Sequence, residues 1–332
     1  MSAAQAATLS AEAITTIEER SPLQIVVARF RRHRLAMISL VVMVLILIIT
    51  ALAPVIAPFE IQELSVNKYF VPFGTVDEET GRVHYLGTDQ IGRDYFSRLI
   101  YAGRISLTIA IIATLLSELA GVVIGAVSGF FGGWIDNILM RFVEFMLTIP
   151  LLPLLLIISS MLLRNENLIP IPEPILRFTG DLLLLTPRDA RNAVLIILIL
   201  AGLSWLNAAQ LMRGMVLSLR EQTFVEASRS LGASNYRIIT RDMIPNAMAP
   251  IIVDASLGLA GFIILEAALA FLGFGIQDPI PTWGNMLANT QEFMLDRPWL
   301  PLVPGLPIFL CSLAFNYIGD GLRDALDPRL KL

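Results

Sequence analysis

Four acidic side chains stand inside long apolar runs: Glu118, Glu144, Asp254 and Glu266. A carboxylate there is costly, so each is a candidate for solute contact, proton relay or interhelical bonding. No opposed cation shares a span centre with any of them, which weighs against a relay. Interhelical bonding, or the edge of a solvated cavity, is the simpler role. Glu144 falls near the inner surface and Glu266 within reach of the outer one. A second cluster, 87–98, gathers Asp89, Arg93, Asp94 and Arg98 in the manner of a catalytic loop. Nothing pairs a nucleophile with a base held by a rigid shell, so a structural ion-pair cluster is the better reading and no catalytic residue is assigned. His33 and His84 lie far apart without metal-ligand spacing, and Cys311 stands alone in an apolar run, as a small core residue does. The chain lacks any Gly-Lys pair, hence any phosphate-binding loop of the G-x-x-x-x-G-K-[ST] type. No cofactor is implied.

The elements that position these residues are helices in a membrane. Hydrophobic residues make up 55% of the 332 and charged ones 16%, where soluble domains run to about a quarter charged. The apolar residues cluster into runs near the roughly 20 needed to cross a bilayer. Six spans follow, at 35–59, 105–133, 138–163, 193–219, 247–274 and 300–318, so the fold class is an all-α membrane protein. A tail or short surface helix (1–34) precedes the first span, 60–104 forms a polar external segment, 105–320 holds a core of five spans, and 321–332 is a second tail. Arg29, Arg31, Arg32 and Arg34 flank the first span. Ala51-Leu52-Ala53 resembles a cleavage site, but the apolar run from Leu35 outlasts a signal h-region of about 7–15 residues, so the helix reads as uncleaved. With the N-terminus inside, inner segments hold 14 of the 24 Lys and Arg residues, the sign expected for positive-inside orientation. The net charge of −4 and the absence of a basic stripe point away from nucleic acid.

Gly121, Gly125, Gly129 and Gly133 recur on one face of the second span. Such a stripe lets another backbone approach closely, and reads as a packing seam. The polar stretch 222–246 is more patterned than a connector. Phe224, Ala227 and Leu231 share one helical face, Glu226 and Arg229 are three apart, and Gly232 stops the helix. A second helical stretch, 235–243, leads to Pro245. The first helix lies across the inner surface with its apolar face toward the membrane, the chain's own helices or a partner's groove.

Glu226-Ala227-Ser228, Gly232 and Pro245 are spaced as in the motif of membrane subunits of ATP-binding-cassette importers, which this chain resembles. It departs at Ser228, Asp242 and Ile244; Asp242 replaces an apolar residue. Leu86-Gly87-Thr88-Asp89, Phe271-Leu272-Gly273-Phe274-Gly275 with Pro281-Thr282-Trp283, Phe131-Gly132-Gly133-Trp134-Ile135-Asp136 and Gly319-Asp320-Gly321 extend the likeness to one branch, the dipeptide, oligopeptide and nickel permeases, and to the second of their two permease subunits. The resemblance implies a type I importer permease fold in the cell (cytoplasmic) membrane, with both termini cytoplasmic. It implies a sister permease, two ATPase subunits and an extracytoplasmic solute-binding protein as partners. It places ATPase coupling on the 223–234 helix through Phe224, Glu226, Ala227, Leu231, Gly232 and Pro245, and binding-protein reception near 87–98. The segment 164–191, with Pro170, Pro172, Pro174 and Pro187, is longer than the family's external loop; 182–185 is a candidate interfacial element. A stand-alone secondary transporter or channel, the alternative, would want an internal repeat or broken helices; no convincing repeat is visible, while Pro150 and Pro153 could break a helix.

Overall fold

A computed structural model describes residues 21–65, 68–165 and 168–327. They are predominantly helical. In order come α1 (Pro22–Arg32), α2 (Arg34–Ala51), α3 (Ala53–Ile56), a two-residue hairpin of β1 (Thr75–Val76) and β2 (Val83–His84), then α4 (Tyr95–Phe131), α5 (Gly133–Thr148), α6 (Leu151–Arg164), α7 (Glu173–Leu183), α8 (Pro187–Ser204), α9 (Leu206–Arg220), α10 (Thr223–Ser230), α11 (Asn235–Arg237), α12 (Ile244–Phe271), α13 (Trp283–Ala288) and α14 (Leu302–Leu326). The hairpin is antiparallel, Thr75 opposite His84 and Val76 opposite Val83.

Among the described residues, four stretches are long and apolar enough to cross a membrane: α2, α4, the run Asn235–Phe271 and α14. Two bent pairs, α5–α6 and α8–α9, raise the number to six if each is one span. Six spans were expected; two of them are broken. The α5–α6 bend of 90° falls where sequence placed an unbroken 138–163 span. Pro150 has no N–H and forces Ile149 into an extended conformation (φ −85°, ψ 126°), so the helix must stop there. The α8–α9 pair bends by 44° at Trp205, whose ring N–H donates to the Gly202 carbonyl at 3.0 Å. The second span begins at Tyr95 and not near 105, because Asp94 caps the helix, its Oδ2 accepting from the Ser97 N–H at 2.7 Å. The segment 164–191 is no loop: α7 packs on the start of α8, and 182–185 forms the end and cap of α7, with Leu183 buried and Arg104 donating to the Leu182 carbonyl at 2.7 Å.

The glycine stripe forms a seam between α4 and α9. A Cβ at Gly121 would meet Ala208 and the Trp205 carbonyl, one at Gly125 would meet Ala209 and Met212, and one at Gly129 would meet Arg213 and Val216. Gly133 does not belong to it. α4 ends at Phe131, the chain turns through Gly132 and Gly133 with positive φ, and the space beside Gly133 is open. The four-residue period ran one step past the helix end. A polar clasp continues the seam instead: the Arg213 Nε and Nη2 donate to Asp136 at 2.5 and 2.7 Å, and Asp136 accepts from Ser128 Oγ at 2.5 Å.

Candidate functional site

At one end of the bundle lies α10. Val225 is its buried residue, set against Met212, Val216, Ile238 and Met243. Gly232 (φ +78°) ends it as a Schellman motif: the Gly232 N–H donates to the Arg229 carbonyl at 3.0 Å and the Ala233 N–H to the Ser228 carbonyl at 3.1 Å. The face sequence assigned to a contact, Phe224, Ala227 and Leu231, is turned outward; Leu231 is 88% exposed. Glu226 is exposed as well. Arg229 does not reach Glu226 but lies over the Phe130 ring at 5.9 Å, tying α10 to the end of α4. The helical stretch 235–243 that sequence placed before Pro245 does not stop there. One apolar run continues from Asn235 to Phe271 through it. A proline inside a helix loses a backbone bond and crowds the carbonyl four residues back; here the wider π-turn Ile238–Met243 precedes it.

Midway along the helices is a cavity of about 470 Å³. Its lining takes Met146 and Pro150 from the α5–α6 break, Ser204 and Asn207 from the α8–α9 break, Glu118 from α4 and Asp254 from α12. Both breaks therefore open onto one space. Gly258 lies beside Glu118, whose Oε1 would stand in ordinary contact, 3.9 Å, with a Cβ at that position.

The four intramembrane carboxylates thus part company. Glu118 and Asp254 share the cavity. Glu144 is exposed and pairs with Arg141 at 3.2 Å. Glu266 is 1% exposed and bonds between helices, accepting from Ser106 Oγ at 3.1 Å, while Ser106 Oγ accepts from the Trp283 N–H at 3.2 Å.

The opposite end carries the charge cluster that 87–98 suggested. Arg93 Nε donates to Asp89 at 2.6 Å, and Arg98 Nη2 donates to Asp278 at 2.7 Å. Asp278, which sequence reasoning missed, also accepts from Arg93 at 3.2 Å. Burial alone would raise the Asp278 carboxyl; Arg98 and Arg93 outweigh it and hold it below the usual carboxylate range. Beside this network, His84 is enclosed, its Nδ1 2.8 Å from Asp94 and its ring stacked on Phe59 at 4.3 Å. Asp77 accepts from the Glu79 and Thr80 N–H groups at 2.9 and 3.0 Å and pairs with Lys68 at 3.1 Å. The Thr80 amide is the largest of several influences that hold its acid well below the usual range against the opposing effect of burial.

Residues 121–332 match the family described as binding-protein-dependent transport system inner membrane component, and residues 21–72 match the N-terminal transmembrane domain of oligopeptide transport permease C. The chain belongs to this permease family. The dipeptide transport system permease protein of Haemophilus influenzae is 36% identical over 316 residues, 95% of this chain and 98% of its own length. That of Alkalihalophilus pseudofirmus is 34% identical over 311 residues, 94% of this chain and 91% of its own length. The oligopeptide transport system permease protein of Mycobacterium tuberculosis is 33% identical over 304 residues, 92% and 94%. The larger permease match runs from the first seam glycine through the cavity, α10 and α14; the smaller one takes in α1 to α3. The chain is a multi-pass membrane permease component.

Proposed function

We propose that the chain is the pore-forming subunit of an ATP-binding-cassette importer, moving peptides or similar small solutes across the cytoplasmic membrane with ATP hydrolysed in separate subunits. The peptide class rests on the names of its relatives. One observation carries the coupling: α10 is held from behind by Val225 and Arg229 and presents Phe224, Glu226 and Leu231 outward, between α9 and the run that becomes α12. That is the arrangement of a lever offered to a partner's groove. On this reading the α10 end and both termini are cytoplasmic, and 60–104 faces outward where a solute-binding protein docks near the Asp89–Arg98–Asp278 network. The cavity is one wall of a path completed by a sister permease, and two ATPase subunits serve the pair.

A stand-alone secondary transporter also places broken helices around a mid-membrane site, and the two breaks at the cavity fit that alternative. Co-purification separates the two. Glu226→Lys and Leu231→Asp should each cut retention of the ATPase subunits, while Gly232→Val, which forces a β-branched residue to positive φ, should leave ATP hydrolysis but abolish uptake. Unchanged retention in both surface variants, or nucleotide-free uptake by the reconstituted chain alone, would refute the coupling.

A further inference from the structure

We propose that α1 is a membrane-surface helix that docks on a bilayer carrying anionic phospholipid. Its start is self-contained: Ser21 Oγ accepts from the Gln24 N–H at 3.3 Å and the Gln24 Oε1 accepts from the Ser21 N–H at 2.9 Å. One face is taken by α14. The Arg29 Nη1 donates to the Asp327 carbonyl at 2.7 Å, His33 stands 3.9 Å from Asp324, and Phe30 covers Gly321.

The opposite face is open. Leu23 is 76% exposed and Val27 49%, and Arg31 continues the same four-residue spacing. Arg32 and Arg34 are exposed beside them, and α1 contains no acidic residue. With 11 residues the helix is too short to cross a bilayer. It is separated by a single extended residue, His33, from α2, whose own exposed Leu35 and Ile38 open a membrane span. The chain therefore enters the bilayer directly after α1, which puts Leu23 and Val27 at the level of the headgroups. An amphipathic helix of this kind buries its apolar residues some 5–10 Å into the headgroup–acyl boundary. Three exposed arginines next to that stripe match the charge of phosphatidylglycerol or a similar lipid, and each basic group near such a surface strengthens docking about fivefold.

The experiment uses the full chain in vesicles, with a nitroxide on Leu23→Cys; the native Cys311 is buried and stays unlabelled. Collision with oxygen is compared with collision with a water-soluble nickel chelate. A label on Ile38→Cys in α2 reports correct insertion. The expected result is oxygen-dominated relaxation at 23 in phosphatidylcholine–phosphatidylglycerol vesicles and nickel access in phosphatidylcholine alone. Replacing Arg31 and Arg32 by Gln should lower the docking constant, read from the two spectral populations, about 25-fold. Nickel access at 23 in the mixed vesicles, with 38 in lipid, would overturn the proposal. So would equal protection without phosphatidylglycerol, or protection that appears only when another protein chain is added.

Discussion

Gly125→Ala tests whether the α4–α9 seam holds the bundle. The added Cβ would stand 2.8 Å from Met212 Cβ and 3.0 Å from the Arg213 nitrogen, and would press on the Ala209 carbonyl. Carbon atoms rest at about 3.5–4.0 Å, so the shortfall against Met212 is roughly 1 Å. Two of the three obstacles are backbone atoms, which cannot swing away; the helices must part. Overpacking of this kind costs about 1–3 kcal/mol. Alanine returns about 0.5–1 kcal/mol of helix entropy, leaving a net loss of up to about 2.5 kcal/mol. Gly214→Ala supplies the contrast. It lies on α9, in open space and without positive φ, so it should gain the entropy and nothing else. The entropy gain cancels between the two variants, so they should differ by the overpacking cost, about 1–3 kcal/mol, in an SDS-unfolding titration followed by tryptophan fluorescence. Equal stabilities would refute the reasoning, since the two substitutions are chemically the same and differ only in what surrounds them.

Two further outcomes are expected. Asp278→Ala should destabilise the chain by about 1–3 kcal/mol in the same assay, because Arg98 loses a charged hydrogen bond while Asp89 still answers part of its charge; no change would mean that Asp89 suffices. The depressed acid of Asp77 contributes stability that is fully present above the ordinary carboxylate pKa near 4 and is lost as pH falls below it toward the folded value. Amide exchange across 75–84 should therefore quicken as pH drops under about 4 beyond its intrinsic trend, and Asp77→Asn should flatten that response; an unaltered profile would remove Asp77 from the hairpin's stability.

The spans were legible because hydropathy records the solvent directly, and Gly232 because a helix stop with positive φ leaves little choice of residue. The breaks were legible only in part. Pro150 announces one, whereas Trp205 carries no breaker, and its bend shows only in the packed bundle. Single-residue costs flagged Glu118 and Asp254, but not their meeting, which depends on how α4 and α12 are rotated against each other. Asp278 escaped because its arginines lie some 180 positions away in sequence and no periodicity links them. Glu226 and Arg229 had the right spacing, yet Phe130 from another helix supplied Arg229 with a partner that sequence spacing cannot reveal.

On the proposed function, these contacts decide which parts of the chain can move against which. The seam at Gly121, Gly125 and Gly129 makes α4 and α9 one body, and the bonds of Asp136 to Ser128 and Arg213 pin the start of α5 to both of them. Val225 packs into the cluster of Ile238 and Met243, and the run from Asn235 continues into α12, so α10 is joined to that body from both of its ends. Beyond that anchored first turn α5 is less enclosed: Ile138, Phe142 and Phe145 are exposed along it. One of its contacts with the core is the stack of Phe142 on Trp205, 6.4 Å between ring centres, which ties α5 to the α8–α9 break. A push on α10 would therefore carry Glu118 and Asp254 together, as fixed points of one rigid unit. The cavity would change shape chiefly where α5 and α6 meet at Pro150. The carboxylates would set what the cavity accepts, and the proline break how far it opens.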